Sequence, residues 1–489
     1  MTRTKIYQFP QWALDQKKPG TELRFIGGHF YLYEVKSKYC KELKRSKKTT
    51  GKILGKVTQH GFVESKARVR ERATNMGYPL PKLSIKEFGN VALLESLASD
   101  LIPALKSSFP LHWQEIFVLA CCRLLRQFPL KKIELTYFSS FLSESYPQIA
   151  CSAKSLSSIL KEVGIQREQI VSFFKQFIDK DNTHLLIDVT SFVSKSQNLT
   201  INQKGYNNKR VYDPQINLLM IFSPQMKMPV YYRVLPGNIR DVVSFKLSLK
   251  ETGIKDAIII ADKGFYSETN IESLASNGLK YILPLRRNSS LIDYSSFEKG
   301  GKKHLKGEFK YKEKRIWYDE REENGKRAIV YLNESLRIEE ENDYLDRIES
   351  SPEEYTKEGF EEKEFRFGTL SILTNLGSSA EEIYKTYKAR IEIEKVANVL
   401  KNTLEVDRSY MQNESNLEGW MFINHIALTL YYKIYNVLLK KELLTKYTPI
   451  DILDYLSTIK KIKINGNWEL AEVPRKVKDI TQLLDISIT

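Results

Sequence analysis

Apolar and polar positions alternate in three textures along this 489-residue chain. Residues 1 to about 85 carry a strand signal. "YLYEVK" alternates with period two, and Gly51 and Gly55 punctuate the return segment "GKILGKV", so the stretch predicts a β-hairpin with a long basic tip. From 86 to about 180 the period lengthens to that of a helix. "IKEFGNVALLESLASDLIPALK" and "SLSSILKEVGIQREQIVSFFKQFI" repeat apolar residues at three- and four-residue intervals, with Pro103, Pro110 and Pro129 as breaks. The third texture alternates the two periods. "HLLIDVTSF", "QINLLMIFSP" and "MPVYYRVLP" predict three strands. The helix "DVVSFKLSLKETG", the strand "DAIIIADKGFYS", the helix "SETNIESLASNG" and the strand "KYILPLR" follow. This order predicts an α/β domain whose mixed sheet is covered by helices.

Between 287 and 369 charge becomes dense. "GEFKYKEKRIWYDEREENGKRAIVYLNE" predicts a hairpin turning at Asn324-Gly325, within a β-rich insertion. The strand "GTLSILTNL", a long helix around "YKTYKARIEIEKVANVLK" and the helix "LEGWMFINHIALTLYYKIYNVLL" complete the domain. The expected organisation is therefore a basic β-hairpin region (1–85), a helical domain (86–180), the first core part (181–286), the insertion (287–369), the second core part (370–445) and a tail (446–489).

Composition sharpens this picture. Lys and Arg number 76 against 60 Asp and Glu, a net charge of +16, and such an excess favours an anionic partner, nucleic acid above all. Lys44, Arg45, Lys47 and Lys48 concentrate charge at the hairpin tip, where a phosphate-contacting arm is expected. Four cysteines without a CxxC pair and six scattered histidines argue against zinc and against a disulfide framework. No signal-like apolar segment opens the chain, and no apolar stretch is long enough to cross a bilayer, so a cytoplasmic protein without a membrane role is expected.

Two carboxylates stand out. Asp188 interrupts an apolar strand, and Asp262 directly follows "AIIIA". A carboxylate there is costly to desolvate unless it is paired or binds a cation. Hard oxygen ligands suit Mg²⁺ or Mn²⁺, and two such ions can activate both oxygens of a phosphodiester exchange. On the helix from Tyr387, Arg390, Glu394, Asn398 and Lys401 fall on one polar stripe at about 100° per residue. Ile393, Val396, Ala397, Leu400 and Leu404 form a separate apolar face. Glu392 points away from the stripe, which leaves Glu394 as the candidate third carboxylate. Taken alone, the stripe is also what a solvated face with i,i+4 ion pairs would show.

The spacing Tyr387-x2-Arg390-x3-Glu394-x6-Lys401, with "IDVTSF", "LPGNIRD" and "ADKGFYS" in order before it, resembles the DDE transposases of the bacterial insertion-sequence class called IS-four. The resemblance covers roughly residues 184 to 440. It implies an RNase H-like catalytic core, with Asp188 on the first strand, Asp262 after the fourth and Glu394 on a later helix. It also implies two Mg²⁺ or Mn²⁺ ions held by these three residues, and Tyr387, Arg390 and Lys401 placing the transferred strand. Double-stranded DNA would be the partner, both terminal inverted repeats and target, bound by a homodimer at the nucleoid. Cleavage and strand transfer would pass through a hairpin intermediate. An aromatic residue of the insertion, for which Trp317 is the candidate, would stack on a flipped base. Two alternatives remain open: a nuclease of the same core that does not join strands, and a DNA-binding regulator that lost catalysis.

Overall fold

The structure is a computed structural model. It describes residues 9–40, 45–65, 83–178, 185–194, 196–204, 214–238, 242–254, 257–260, 266–298, 302–323, 325–406, 408–409 and 411–486. The chain divides into two compact units: residues 1–84 with 463–468, and residues 85–462 with 469–489.

In the first unit, β1 (Thr21–Ile26), β2 (His29–Cys40), β3 (Arg45–Thr58) and β4 (Gly61–Glu64) pair antiparallel in sequence order. Alternation puts Leu23, Leu32 and Val57 on one face with Ala13, and Trp12, Phe30 and Leu54 pack around them. Gly55 is required, because a Cβ there would collide with the Val63 carbonyl on β4. The far half of the hairpin carries no core residue, and Arg45 to Thr50 are all exposed.

The second unit is built on one mixed sheet. Its strands are β5 (Leu185–Ser194), β6 (Gln215–Ser223), β7 (Met228–Pro236), β8 (Ala257–Ile260), β9 (Lys280–Pro284), β10 (Gly307–Tyr311), β11 (Lys314–Glu323), β12 (Lys326–Asn333), β13 (Thr369–Thr374) and β14 (Arg408–Ser409). The order across the sheet is β10-β11-β12-β13-β9-β8-β5-β6-β7, with β14 parallel to the end of β5. β5, β6 and β7 form an antiparallel meander, whereas β8 and β9 run parallel to β5. β6 is buried along its whole length, with the apolar run Leu218–Phe222 at its centre.

The charged insertion does not stand apart from this sheet. β13 pairs antiparallel with β9 on one side and with β12 on the other, so β10 to β12 continue the core sheet outward. β9 thereby gains a neighbour where it would otherwise expose a bare edge. Gly325 turns the β11–β12 hairpin with a φ of 71°.

Of the helices in residues 86–180, α1 (Trp113–Leu125), α2 (Ala153–Ile165) and α3 (Arg167–Lys175) belong to the same compact unit as the sheet. α4 (Val242–Thr252) and α5 (Glu268–Ser276) follow, then α6 (Glu334–Ser350), α7 (Ala380–Asn398) and α8 (Glu414–Lys440). α1 and α2 pack on α8, whose residues from Asn416 to Leu430 are buried at nearly every position. At the α2–α8 crossing Gly164 lies against the Ser415 carbonyl, and Gly419 against that of Leu160. Arg167 ties α3 to the rest. It donates to Glu418 on α8, to Glu251 on α4 and to the Tyr231 hydroxyl on β7. Burial opposes the charge on Glu251, but donors from Arg167 and Tyr231, with Arg233 beside them, outweigh it and hold the carboxyl below its usual range.

Candidate active site

Two of the three candidate carboxylates sit on β5 and α7, which pack against each other. Asp188 is the fourth residue of β5, opposite Met220 on β6, and is half-buried. It lies within the strand and not at its end, because pairing with β6 carries β5 on to Val193. The parallel neighbour β8 ends at Ile260. The last registered pair between β5 and β8 is Ile187 with Ile259, one residue before Asp188. Asp262, two positions past Ile260, lies outside the described residues.

α7 begins with a capping box. The Ser379 hydroxyl accepts from the Glu382 amide, and the Glu382 carboxylate accepts from the Ser379 amide. Its apolar face, Ile393, Val396 and Ala397, is buried. On the polar stripe Arg390 is mostly covered and Glu394 is open, with side chains 17% and 51% exposed, and the two pair at 3.1 Å. Glu392 points elsewhere and accepts from Lys395 at 2.9 Å.

After Asn398 the helix changes. Val399–Thr403 is a π-helical turn, in which the Leu404 amide donates to the Val399 carbonyl. The 100° spacing that put Lys401 on the stripe therefore holds only as far as Asn398. The wider turn re-aims Lys401, as π-bulges often do at functional sites. The Lys401 ammonium stands 5.1 Å from the centroid of the Phe192 ring. Phe192 is four residues beyond Asp188 on β5, so both side chains project from the same face of the sheet. The end of α7 thus lies over the face that Asp188 shares. Arg123 from α1 secures this end by donating to the Leu404 carbonyl, and it stacks 4.8 Å from the Trp420 ring. A cleft of about 1050 Å³ opens beside it, lined in part by Arg123, Lys131, Lys401 and Trp420.

Residues 179–430, more than half of the chain, match the family described as Transposase DDE domain. The chain belongs to that family. No curated protein matches it. A cryo-EM structure of a piggyBac transposase synaptic complex with hairpin DNA is similar at 12% identity and a TM-score of 0.37, over 76% of this chain and 79% of that one.

As donors for a divalent ion, the candidate residues of this transposase-family chain are hard carboxylates, with neither His nor Cys among them. Among the described residues no three His, Cys, Asp or Glu side chains form a cluster that could hold a metal, and Asp262 is outside that set. Glu394 is accessible and balanced by one guanidinium, which fits a ligand that can be released from its ion pair.

Trp317 is half-buried in the middle of β11, between Glu308 on β10 and Leu332 on β12, away from the turn at Gly325. The Lys302 ammonium is 5.0 Å from its ring centroid. Arg45, Lys47 and Lys48 are exposed on β3, and Lys44 is outside the described residues. Lys47 stands directly opposite Lys38, and Lys48 pairs with Glu22 at 3.2 Å.

Sequence reading passed over two buried amides that fix Gly237 of the "LPGNIRD" segment. Gln215 and Asn217 on β6 each donate to the Gly237 carbonyl at 3.0 Å. A Cβ at Gly237 would strike the Gln215 carbonyl, so the glycine permits this close approach. The available signal was two amides in an otherwise apolar strand, which need buried partners.

Proposed function

We propose that this protein is a DNA transposase of an insertion sequence of the IS-four class, built on an RNase H-like core. The strand order β7-β6-β5-β8-β9, a meander followed by two strands parallel to the first, supports that core. The observation that carries the site is the Lys401 ammonium over Phe192, on the strand face shared with Asp188. Glu394 precedes Lys401 by about 10 Å of helix, and Asp188 precedes Phe192 by about 13 Å of strand. With α7 packed against β5, this supports Glu394 and Asp188 serving one site.

Asp188, Asp262 and Glu394 would hold two Mg²⁺ or Mn²⁺ ions, which supply Lewis acidity at a scissile phosphate when bound. Arg390 pairs with the Glu394 carboxylate along the stripe. Its guanidinium can turn to a phosphate once the carboxylate takes a cation. Tyr387 and Lys401 border the path of the transferred strand. Hydrolysis at the element end releases a 3′-OH, which then attacks the opposite strand or target DNA, with a hairpin as the intermediate of cut-and-paste movement. The basic hairpin of the first unit contacts terminal inverted repeats through Lys44, Arg45, Lys47 and Lys48. Like charges face each other at Lys38 and Lys47, an arrangement that is unfavourable until an anion lies across it. Trp317 is retained as the residue that stacks on a flipped base, and a dimer holds the two ends.

The test is incubation with duplexes carrying the DNA that flanks the gene, plus Mg²⁺ or Mn²⁺. End cleavage and strand joining are expected, both lost in Glu394→Gln and in EDTA, with DNA binding retained. Cleavage without joining would leave only a nuclease. Binding without cleavage by the wild type would leave a regulator.

A further inference from the structure

A second pair of cations, Lys388 on α7 and Lys312 on the β10–β11 turn, lies outside the Tyr387–Lys401 stripe. Lys388 is half-buried, and its ammonium rests on an aromatic floor, 5.2 Å from the ring centroid of Tyr384 and 6.0 Å from that of Tyr387. The β10–β11 hairpin delivers Lys312 beside it. Tyr311, the last residue of β10, packs its ring 5.3 Å from Tyr384, and the Lys312 ammonium stands 5.6 Å from the Tyr311 ring. Burial first, and then the charge of Lys312, push the pKa of Lys388 below its ordinary value. No described carboxylate pairs with either lysine. The acid at the tip, Glu313, is held by Lys310 at 2.7 Å.

The turn that presents Lys312 is itself strained. Lys312 and Glu313 both adopt the left-handed region, with φ of 45° and 63°. A two-residue hairpin turn of this kind is usually made with Asn-Gly or Asp-Gly. Two consecutive long side chains in that region persist where the surroundings impose them, commonly at ligand-gripping sites. Here the Tyr311–Tyr384 contact and the pairing of β10 with β11 impose the turn.

We propose that Lys312 and Lys388 form a two-pronged clamp for one backbone phosphate of DNA, with Tyr384 and Tyr387 as its floor. A phosphate between the two ammonium groups would cancel their repulsion and accept from both. The inference rests on the transposase reading. Lys388 is six residues before Glu394, about 9 Å of helix. At about 3.4 Å of rise per nucleotide, the clamped phosphate is about two to three nucleotides from the reacting one. The clamp would set the register of the strand in the site and tie the insertion to the DNA end.

The experiment uses the full chain and flanking-DNA duplexes with a single uncharged methylphosphonate at each of the first five linkages from the cleavage point. For the wild type, one linkage two to three positions away should lower affinity about tenfold. Lys312→Met with Lys388→Met should bind unmodified DNA about tenfold more weakly, reduce the salt slope by about one, and lose all sensitivity to that linkage. Lys388→Arg should restore it. Thermal unfolding separates this from a folding defect, because removing a half-buried, repelled ammonium should leave the melting temperature unchanged or raise it. A double variant with wild-type affinity and the same methylphosphonate profile overturns the clamp while cleavage by the wild type keeps the transposase reading. A melting temperature that falls together with affinity makes the lysines structural and also overturns it. No DNA binding by the wild type overturns both.

Discussion

At the scale of single residues, exposed Glu394 and buried His425 carry opposite expectations. Glu394 is open to solvent and its pair with Arg390 is of the i,i+4 kind, which contributes at most about 0.5 kcal/mol. Glu394→Gln should therefore leave the melting temperature nearly unchanged while cleavage falls by orders of magnitude. A variant that unfolds, or one that cleaves normally, contradicts the assignment. His425 is buried against Phe174 and Tyr232, with ring centroids at 4.9 and 5.4 Å, and burial pushes its pKa down to about 3 from 6.5. The folded state refuses a proton that the unfolded chain accepts. This contribution is complete above about pH 6.5 and is lost as pH falls toward 3. His425→Phe should flatten the decline of melting temperature over that window, and parallel curves for variant and wild type would refute it.

At the scale of elements, periodicity gave the strands and helices that frame the site because each is locally encoded. β5 to β9 and α7 occupy the stretches whose apolar spacing predicted them, and the burial of Ile393, Val396 and Ala397 follows the helical face read from sequence. The π turn at Val399–Thr403 was not legible, because Lys401 is re-aimed by what holds the helix end: the Arg123 bond to Leu404 and the Phe192 ring. The α2–α8 crossing was equally hidden. Gly164 and Gly419 are ordinary residues in their own helices until the two backbones meet. Gly419→Ala should destabilise the second unit by about 1–3 kcal/mol, read as a lower melting temperature. An unchanged melt would mean that the helices can separate without cost.

At the scale of the whole molecule, the +16 charge acts as an electrostatic bias toward DNA, and the far half of the β2–β3 hairpin exposes part of it. Replacing Arg45, Lys47 and Lys48 with Gln should weaken binding to flanking DNA and reduce the slope of log affinity against log salt by about two to three. Catalysis on DNA already bound should persist. An unchanged slope would remove the hairpin from the DNA-binding surface. The three residues lie on a strand half without core contacts, so the melting temperature should hold.

The sequence by itself determined the alternation of strands and helices, the basic surplus and the spacing of Tyr387, Arg390, Glu394 and Lys401, since composition and period are properties of neighbours along the chain. Only tertiary structure decided that the charged insertion continues the core sheet through β13, that Lys401 reaches Phe192 on the strand of Asp188, and that the Tyr311–Tyr384 contact gathers Lys312 and Lys388 on neighbouring rings. Those pairings join residues tens to hundreds of positions apart. They depend on which sheet edge was left bare and which backbones could approach, and no local pattern records either.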